Sequence, residues 1–401
     1  ASDVYKRQFL HRPDWFEYGK LRLSWGKNGN RAVGTYAAFM QLAPRKYIYV
    51  DPATGSLVTA NTFYASTMAN PNLKWESTTS WNIGTDLTFL KGRLSANLDV
   101  YKKITTDLLV SRELPSLIGY SSVMSNIGEV QNTGVELSLN STNIRMDKLT
   151  WRTSFSLAYN KNKITHLYGI MEDVKDADGN VIGQREADDI KNKRFIGHDI
   201  DEIWDYKVVG IWQEEEREEA AKYGQQPGDV HLLDKDMNYK YDNTDKEFQG
   251  TTMPRLRWSM RNDFTLFKNF NISFNMYSYI GHKKTLGRFT NDNALLNVTN
   301  QIKRDYWTPE NRNNEYPRLA NKKPAGVSYA IYKNASFLRF DNISIGYTFP
   351  KKLIEPLRIQ NLNVNATMKN AGYISGWPGY DPENSDANTP RVIYFGINLT
   401  L

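Results

Sequence analysis

The chain has 401 residues, of which 40% are hydrophobic and 13% aromatic, with no cysteine and a formal net charge of +7. No unbroken apolar run approaches the ~18 residues that a transmembrane helix needs, so helical membrane spans are excluded. The 51 basic residues are scattered among 44 acidic ones and form no dense stripe, which argues against a nucleic-acid partner. The absence of cysteine rules out a disulfide framework. The chain opens on Ala1, with no leader pattern, which predicts a piece of a longer protein.

Leu21, Leu23 and Trp25 alternate with polar neighbours and predict a first strand. Trp81, Ile83, Thr85, Leu87 and Phe89 repeat the pattern, turn at Lys91 and Gly92, and return through Leu94, Ala96, Leu98 and Val100. Val135, Leu137 and Leu139 alternate with Gly134, Glu136, Ser138 and Asn140, and the polar segment Asn143 to Lys148 leads into residues 149 to 159. There Leu149, Trp151, Phe155, Leu157 and Tyr159 share one face with Thr153, opposite Arg152, Ser154 and Ser156. That length is close to the ~9 to 11 residues with which a tilted strand crosses a bilayer. Trp258, Met260, Phe264 and Leu266 turn at Lys268 and Asn269 into Phe270, Ile272, Phe274 and Met276. Ile343, Ile345, Tyr347 and Phe349 face Leu362, Val364, Ala366 and Met368. Phe395, Ile397, Leu399 and Leu401 close the chain on a strict period of two.

Ten strands are predicted, joined by tight turns near 91, 145, 268 and 355 that alternate with long polar segments at about 27–75, 102–133, 161–256, 281–336 and 370–390. Short connections at one end and long ones at the other are the mark of an outer-membrane β-barrel, and they put the C-terminus on the periplasmic side. A soluble sandwich or propeller has no comparable reason to separate its loop lengths. Trp81, Trp151, Tyr159, Trp258 and Tyr347 lie near strand ends, as interfacial girdles would.

No catalytic constellation emerges. His11, His166, His198, His231 and His282 are far apart and in no metal-ligand spacing, and there is neither a nucleophile elbow nor a phosphate-cradling glycine loop. One acidic run does have metal-binding spacing. Asp234, Asp236, Asn238, Asp242 and Asp245 occupy positions 1, 3, 5, 9 and 12 of an EF-hand-like calcium loop, with the Lys240 carbonyl at position 7. Tyr239 stands where the sharp turn prefers glycine, and Asp245 is shorter than the usual terminal Glu, so a solvated turn is the competing expectation. The run EEEREEAAK at 214–222 predicts a short solvated helix.

Several segments carry a family resemblance. They are LKWESTTSWNIGTDLTFLKGRLSANLDVYKKITTDLL at 73–109, NIGEVQNTGVELSLN at 126–140, WRTSFSLAYNKNKI at 151–164, YWTPENRNNEYPRL at 306–319, FLRFDNISIGYTFPKKL at 337–353 and GYDPENSDANTPRVIYFGINLTL at 379–401. In these the chain resembles the C-terminal half of the barrel of SusC/RagA-type TonB-dependent outer-membrane transporters of Bacteroidetes. Residues 9–401 fall within that resemblance, whereas Ala1 to Gln8 do not fit and are expected to be non-native or an unassigned leader. The resemblance implies a 22-stranded barrel, of which this chain supplies about ten strands, and a plug that the chain lacks. It implies a SusD-like lipoprotein lid, TonB acting through the plug, oligosaccharide or peptide cargo, and no bond-making chemistry. The family usually ends on an aromatic residue, where this chain ends on Leu401.

Within such a barrel, Glu136, Arg152, Arg257, Arg261 and Asp263 are expected to line the wet lumen and touch plug or cargo. Tyr36, Phe39, Tyr47, Tyr49, Trp204, Tyr206, Trp212, Trp307 and Trp377 fall in the long loops. They either stack on sugar rings, pack against the lid, or fold the loops. Trp204, Tyr206, Trp212, Trp307 and Trp377 are the ligand-binding candidates. A passive porin, a siderophore-type receptor and a soluble carbohydrate-binding β-protein remain as alternatives. Isolated, ten strands would leave two unpaired edges and should not fold stably.

Overall fold

A computed structural model describes residues 13–31, 34, 36, 38–114, 116–120, 122–285, 305–319, 321–384 and 387–401; the non-native or unassigned stretch expected at 1–8 lies outside these. Ten strands form one antiparallel sheet in which each strand pairs with its neighbours along the chain. They are β1 (Phe16–Asn30), β2 (Glu76–Phe89), β3 (Leu94–Thr106), β4 (Glu129–Arg145), β5 (Leu149–His166), β6 (Leu256–Leu266), β7 (Phe270–Ile280), β8 (Phe337–Thr348), β9 (Asn361–Ser375) and β10 (Val392–Thr400). β1 and β10 are the two ends of the sheet, which does not close.

The register makes one face apolar. Leu21 opposes Thr85, Thr85 opposes Leu98, and the row continues through Leu137 and Leu157 to Trp258. The adjacent row, Arg22, Gly84, Asp99, Glu136, Ala158 and Arg257, lies on the other face. Large apolar side chains stay uncovered on the first face, with Leu23 71%, Ile397 73% and Phe395 81% exposed. Water tolerates no contiguous apolar face of that size, whereas lipid requires one. Aromatic rings pair along it: Trp25 with Trp81 at 6.0 Å and Trp151 with Phe264 at 5.4 Å.

Asn262 falls on the apolar face, inside the run that the alternation assigns to Trp258, Met260, Phe264 and Leu266. It is buried, and its Oδ1 accepts hydrogen bonds from Trp151 Nε1 at 2.9 Å and Thr153 Oγ1 at 2.7 Å. A satisfied amide covered by indole is tolerable where a bare one would not be. Gly134 has a different necessity. A Cβ there would lie 2.4 Å from the Tyr101 ring and 2.6 Å from the Tyr159 carbonyl oxygen, so only glycine lets Tyr101 cross the ladder.

Three expectations need correction. The wall strands run past the predicted loop boundaries, to Asn30, Thr106 and His166, because ladder hydrogen bonds continue where the apolar alternation stops. Three of the long segments contain hairpins: Gln41–Val50 with Leu57–Thr67, Leu109–Glu113 with Ser122–Asn126, and Met171–Lys175 with Val181–Glu186. The connection near 355 is no tight turn. Pro350 and Pro356 favour short helices at Lys351–Ile354 and Glu355–Leu357, which stop at Arg358 with φ 58°. The remaining short turns, 90–93, 146–148 and 267–269, match the expectation.

Neighbouring positions on β3 test the face assignment. Leu98→Arg puts a charge on the apolar face near mid-strand, at a cost of about 2 to 4 kcal/mol in a bilayer. Asn97→Arg faces the other way, beside Asp86, and should be tolerated. Heat-modifiable barrel recovered from outer membranes should fall sharply for the first variant and stay near wild type for the second.

Candidate functional site

All five residues expected to line the lumen share the polar face. Glu136 and Arg257 both oppose Ala158, Arg152 opposes Asp263, and Arg261 makes a forked pair with Asp263 at 2.7 to 3.1 Å. Arg22, unforeseen in sequence, bridges Asp86 at 3.0 Å and Asp99 at 2.9 Å. Its partners lie on β2 and β3, too far along the chain for any spacing rule.

Described parts of three long connections share one core: Tyr206, Ile211, Val230 and Leu232 from the third, Trp307, Tyr329, Ile331 and Ala335 from the fourth, and Trp377 from the last. Buried Asp229 ties two of them together: its Oδ1 accepts from Arg318 Nε at 2.8 Å and from the Lys322 N–H at 2.9 Å. Gly228, in the QQPGDV run, adopts φ 88°, and a Cβ there would lie 2.5 Å from the Trp307 ring. A side chain at that position would push the two segments apart.

Trp204, Tyr206, Trp212, Trp307 and Trp377 are all buried here, each 8% exposed or less. Trp212 donates to Gln225 Oε1 and stacks on His231 at 3.5 Å, while Trp307 donates to Gln213 Oε1. Their faces are taken by packing, so of the three expectations the structure favours folding the loops. The other loop aromatics singled out, Tyr36, Phe39, Tyr47 and Tyr49 on the first long connection, are exposed. The run 214–222 forms the expected helical turn, a 3-10 segment Glu214–Glu216 followed by Arg217–Lys222.

A buried ion pair joins the last long connection to the wall. Arg339 Nη2 lies 2.5 Å from Asp381 Oδ1, with side chains 2% and 1% exposed. Arg339 Nη1 donates to Asn370, whose amide donates to the Thr389 carbonyl, and Thr389 Oγ1 donates back to Asp381 at 2.7 Å. Burial pushes the Asp381 carboxyl up, but hydrogen bonds from Thr389, the Glu383 N–H and Arg339 outweigh it and hold the group at about 2. Sequence alternation missed Arg339 for a physical reason. The register slips at Asp341, so Arg339 opposes Tyr277 on the polar face although it is in phase with lipid-facing Ile343 and Ile345.

In the acidic run, carboxylate atoms of Asp234, Asp236 and Asp245 come within 4.8 Å of one another. Their oxygens are already acceptors. Asp234 takes the Met237 and Tyr239 N–H groups and the Tyr223 hydroxyl, Asp236 takes Asn238, and Asp245 takes the Lys235 and Asp242 N–H groups. Burial raises the Asp234 carboxyl, and these donors bring it below its ordinary value. Asn238 Oδ1 accepts from the Lys240 N–H and Asp242 turns to Thr244, so of the predicted carboxylate ligands Asp234, Asp236 and Asp245 come together and Asp242 lies outside that group. Tyr239 has φ 64°, the left-handed conformation for which glycine is preferred.

An antiparallel sheet with one lipid-compatible face, one charged face, short turns at one end and a packed loop body at the other defines the wall of an outer-membrane β-barrel. The sequence matches the family described as "TonB dependent receptor-like, beta-barrel" over residues 5–371, and the chain belongs to that family. It is 30% identical to TonB-dependent receptor SusC of Bacteroides thetaiotaomicron over 406 residues, covering 95% of this chain and 37% of that protein. It is 28% identical to TonB-dependent receptor P3 of Formosa agariphila, covering 97% of this chain and 38% of that protein. The solved RagAB peptide transporter has the same fold, with a TM-score of 0.71 at 22% identity, over 98% of this chain and 42% of that one. The chain therefore spans about two fifths of the length of these relatives. They are receptors and transporters, not enzymes.

Asp381 links stability to pH with a definite sign. Its folded value lies below the ordinary 3.8, so its contribution is complete above about pH 4 and is lost as pH falls toward 2. Asp381→Asn leaves buried Arg339 with only the more exposed Glu383 carboxylate, 3.2 Å from its Nε, and should cost up to about 3 kcal/mol at neutral pH. Thermal unfolding of the full-length protein in detergent should show that gap narrowing between pH 4 and pH 2; an unchanged Tm at pH 7 would refute it.

The acidic run has its own reporter, because Tyr223 touches both Asp234 and Trp212. If the hydrogen-bonded turn is the whole account, millimolar calcium leaves Trp212 emission unchanged, whereas a saturable change marks a bound cation.

Proposed function

We propose that this chain forms the C-terminal part of the barrel of a TonB-dependent active importer of oligosaccharides or peptides that works with a SusD-like surface lipoprotein. The asymmetry of the sheet carries this reading. Every short connection lies at one end and every long one at the other, where described residues of three of the five long segments share one core. In the outer membrane the short end is periplasmic, and β10 descends to it, so the C-terminus is periplasmic. The polar face then lines the lumen, and β1 and β10 pair with the remaining strands of a 22-stranded barrel. A plug outside this chain receives the pull of TonB. The RagAB complex, whose fold this chain shares, is a peptide importer, which supports import as the activity.

The full-length protein should fractionate with the outer membrane, show heat-modifiable migration, and take up labelled cargo only in cells with TonB. Recovery as a detergent-free soluble monomer, or uptake that survives loss of TonB, would sink the proposal.

A further inference from the structure

The four short connections, 90–93, 146–148, 267–269 and 349–360, carry most of the chain's net charge. They hold seven basic residues against two acidic ones, Asp147 and Glu355, so +5 of the net +7 sits in these turns. All seven cations are exposed. Each connection also sets an exposed apolar residue within two positions of a lysine: Leu90 by Lys91, Met146 by Lys148, Phe267 by Lys268 and Leu353 by Lys352. Leu90, Lys91, Phe267 and Lys268 have φ of 57°, 57°, 50° and 69°. Asn or Gly adopts that conformation with least strain, so these bulky side chains are held in the turns against the backbone's preference.

The turns are tied side by side into one rim. Arg93 donates to the Thr142 and Asn143 carbonyls at 3.1 and 2.6 Å, Lys268 lies 3.5 Å from Asp147, and the Asn269 amide donates to the Thr348 carbonyl at 2.6 Å. Aromatic rings of the apolar face border this rim. Phe89 stacks on Trp15 at 5.9 Å, Trp151 on Phe264 at 5.4 Å, and Tyr347 meets Phe349 edge-on at 5.1 Å. Phe89, Trp151, Phe264 and Tyr347 each lie within four residues of a lysine in the turns. Such rings settle at the level of lipid headgroups, and a lysine that close in sequence reaches the same level.

We propose that this rim is a docking surface for anionic phospholipid, the headgroup phosphates held by Lys91, Lys148, Lys268 and Lys352 and the lipid beneath them met by Leu90, Phe267 and Leu353. The inference rests on the importer reading for the leaflet, which is then the periplasmic one, and goes beyond it in naming a lipid partner. A row of exposed cations at headgroup depth is complementary to a negatively charged lipid surface and gains nothing from a neutral one. The charge excess belongs to the turns whatever strands and plug complete the barrel. A plug would be met from the polar face, whereas the rings that border the rim lie on the apolar face.

The test is the unfolding temperature of the full-length protein, read by heat-modifiable migration, in vesicles of phosphatidylcholine and in vesicles of phosphatidylcholine mixed equally with phosphatidylglycerol. At low salt the wild type should unfold a few degrees higher in the mixture, and high salt should remove the difference. Lys91→Gln, Lys268→Gln and Lys352→Gln together should abolish it, while arginine at the same three positions should keep it. Arg45→Gln, Lys46→Gln and Lys175→Gln, which remove equal charge from the long connections, should also keep it. Equal unfolding of the wild type in both lipids overturns the proposal, and so does a difference that high salt leaves intact; neither result depends on a variant folding. A difference that the glutamine turn variant retains, or that the long-connection variant loses, overturns it as well. A turn variant that unfolds earlier by the same amount in both lipids assigns the charges to plug or neighbouring strands, and again overturns it. Uptake that survives loss of TonB, or labelling of the short turns from outside intact cells, would instead overturn the importer reading or its orientation and leave the lipid dependence as measured.

Discussion

Hydrocarbon offers no partner to a peptide group, and an unpaired N–H or C=O there costs several kcal/mol. The antiparallel ladder meets that demand for every wall strand with two neighbours, β2 through β9. Its geometry dictates the rest. Side chains alternate across the sheet, so one row can be Leu98, Leu137 and Leu157 for lipid while the next is Asp99, Glu136 and Ala158 for water. β1 and β10 have one neighbour each, and the same demand makes them the strands that most need partners. Stability here is therefore a property of the ladder and its surroundings; buried apolar residues are concentrated among the loops.

That division explains what could be read in the residues alone. Wherever the ladder is regular, a period of two is visible, and all ten wall strands, their faces and three of the short turns follow from it. Boundaries do not, because ladder hydrogen bonds ignore side-chain polarity, so β5 runs on through Asn160 and Asn162 to His166. Irregularity hides residues altogether. At Asp341 one extra residue flips the phase, and Arg339 reads as lipid-facing until its partner Tyr277 is known. Asn262 is the opposite failure, a polar residue in the apolar phase that only the Trp151 and Thr153 donors make acceptable.

The loops fail for another reason. Trp204 and Trp307 look alike in sequence to any sugar-stacking indole, since burial is set by which distant segments meet. Asp229 meets Arg318 and Lys322 across the chain, and Ile211 meets Asn314. No local pattern records those encounters. The acidic run shows the limit from the other side: its spacing is legible, but the direction of each carboxylate is decided by which backbone N–H groups its turn exposes.

The slip at Asp341 joins the two regimes. By turning Arg339 to the polar face it creates a buried cation at the top of the wall, which is tolerable only with a carboxylate and further acceptors in place. Asp381 and Asn370 supply them, and Asn370 itself sits at φ 49° where β9 carries one residue more than β8. Asp381 also gathers the N–H groups of Glu383, Asn384 and Thr389, which shapes the connection that delivers Val392 opposite Lys369. The start of β10 is thus tied, through Asp381, to an ion pair on β8. A strand that pairs on one side only would otherwise be free to slide by two residues at small cost, keeping its apolar face to lipid. The ion pair removes that freedom, because a two-residue slide would pull the connection away from Asp381.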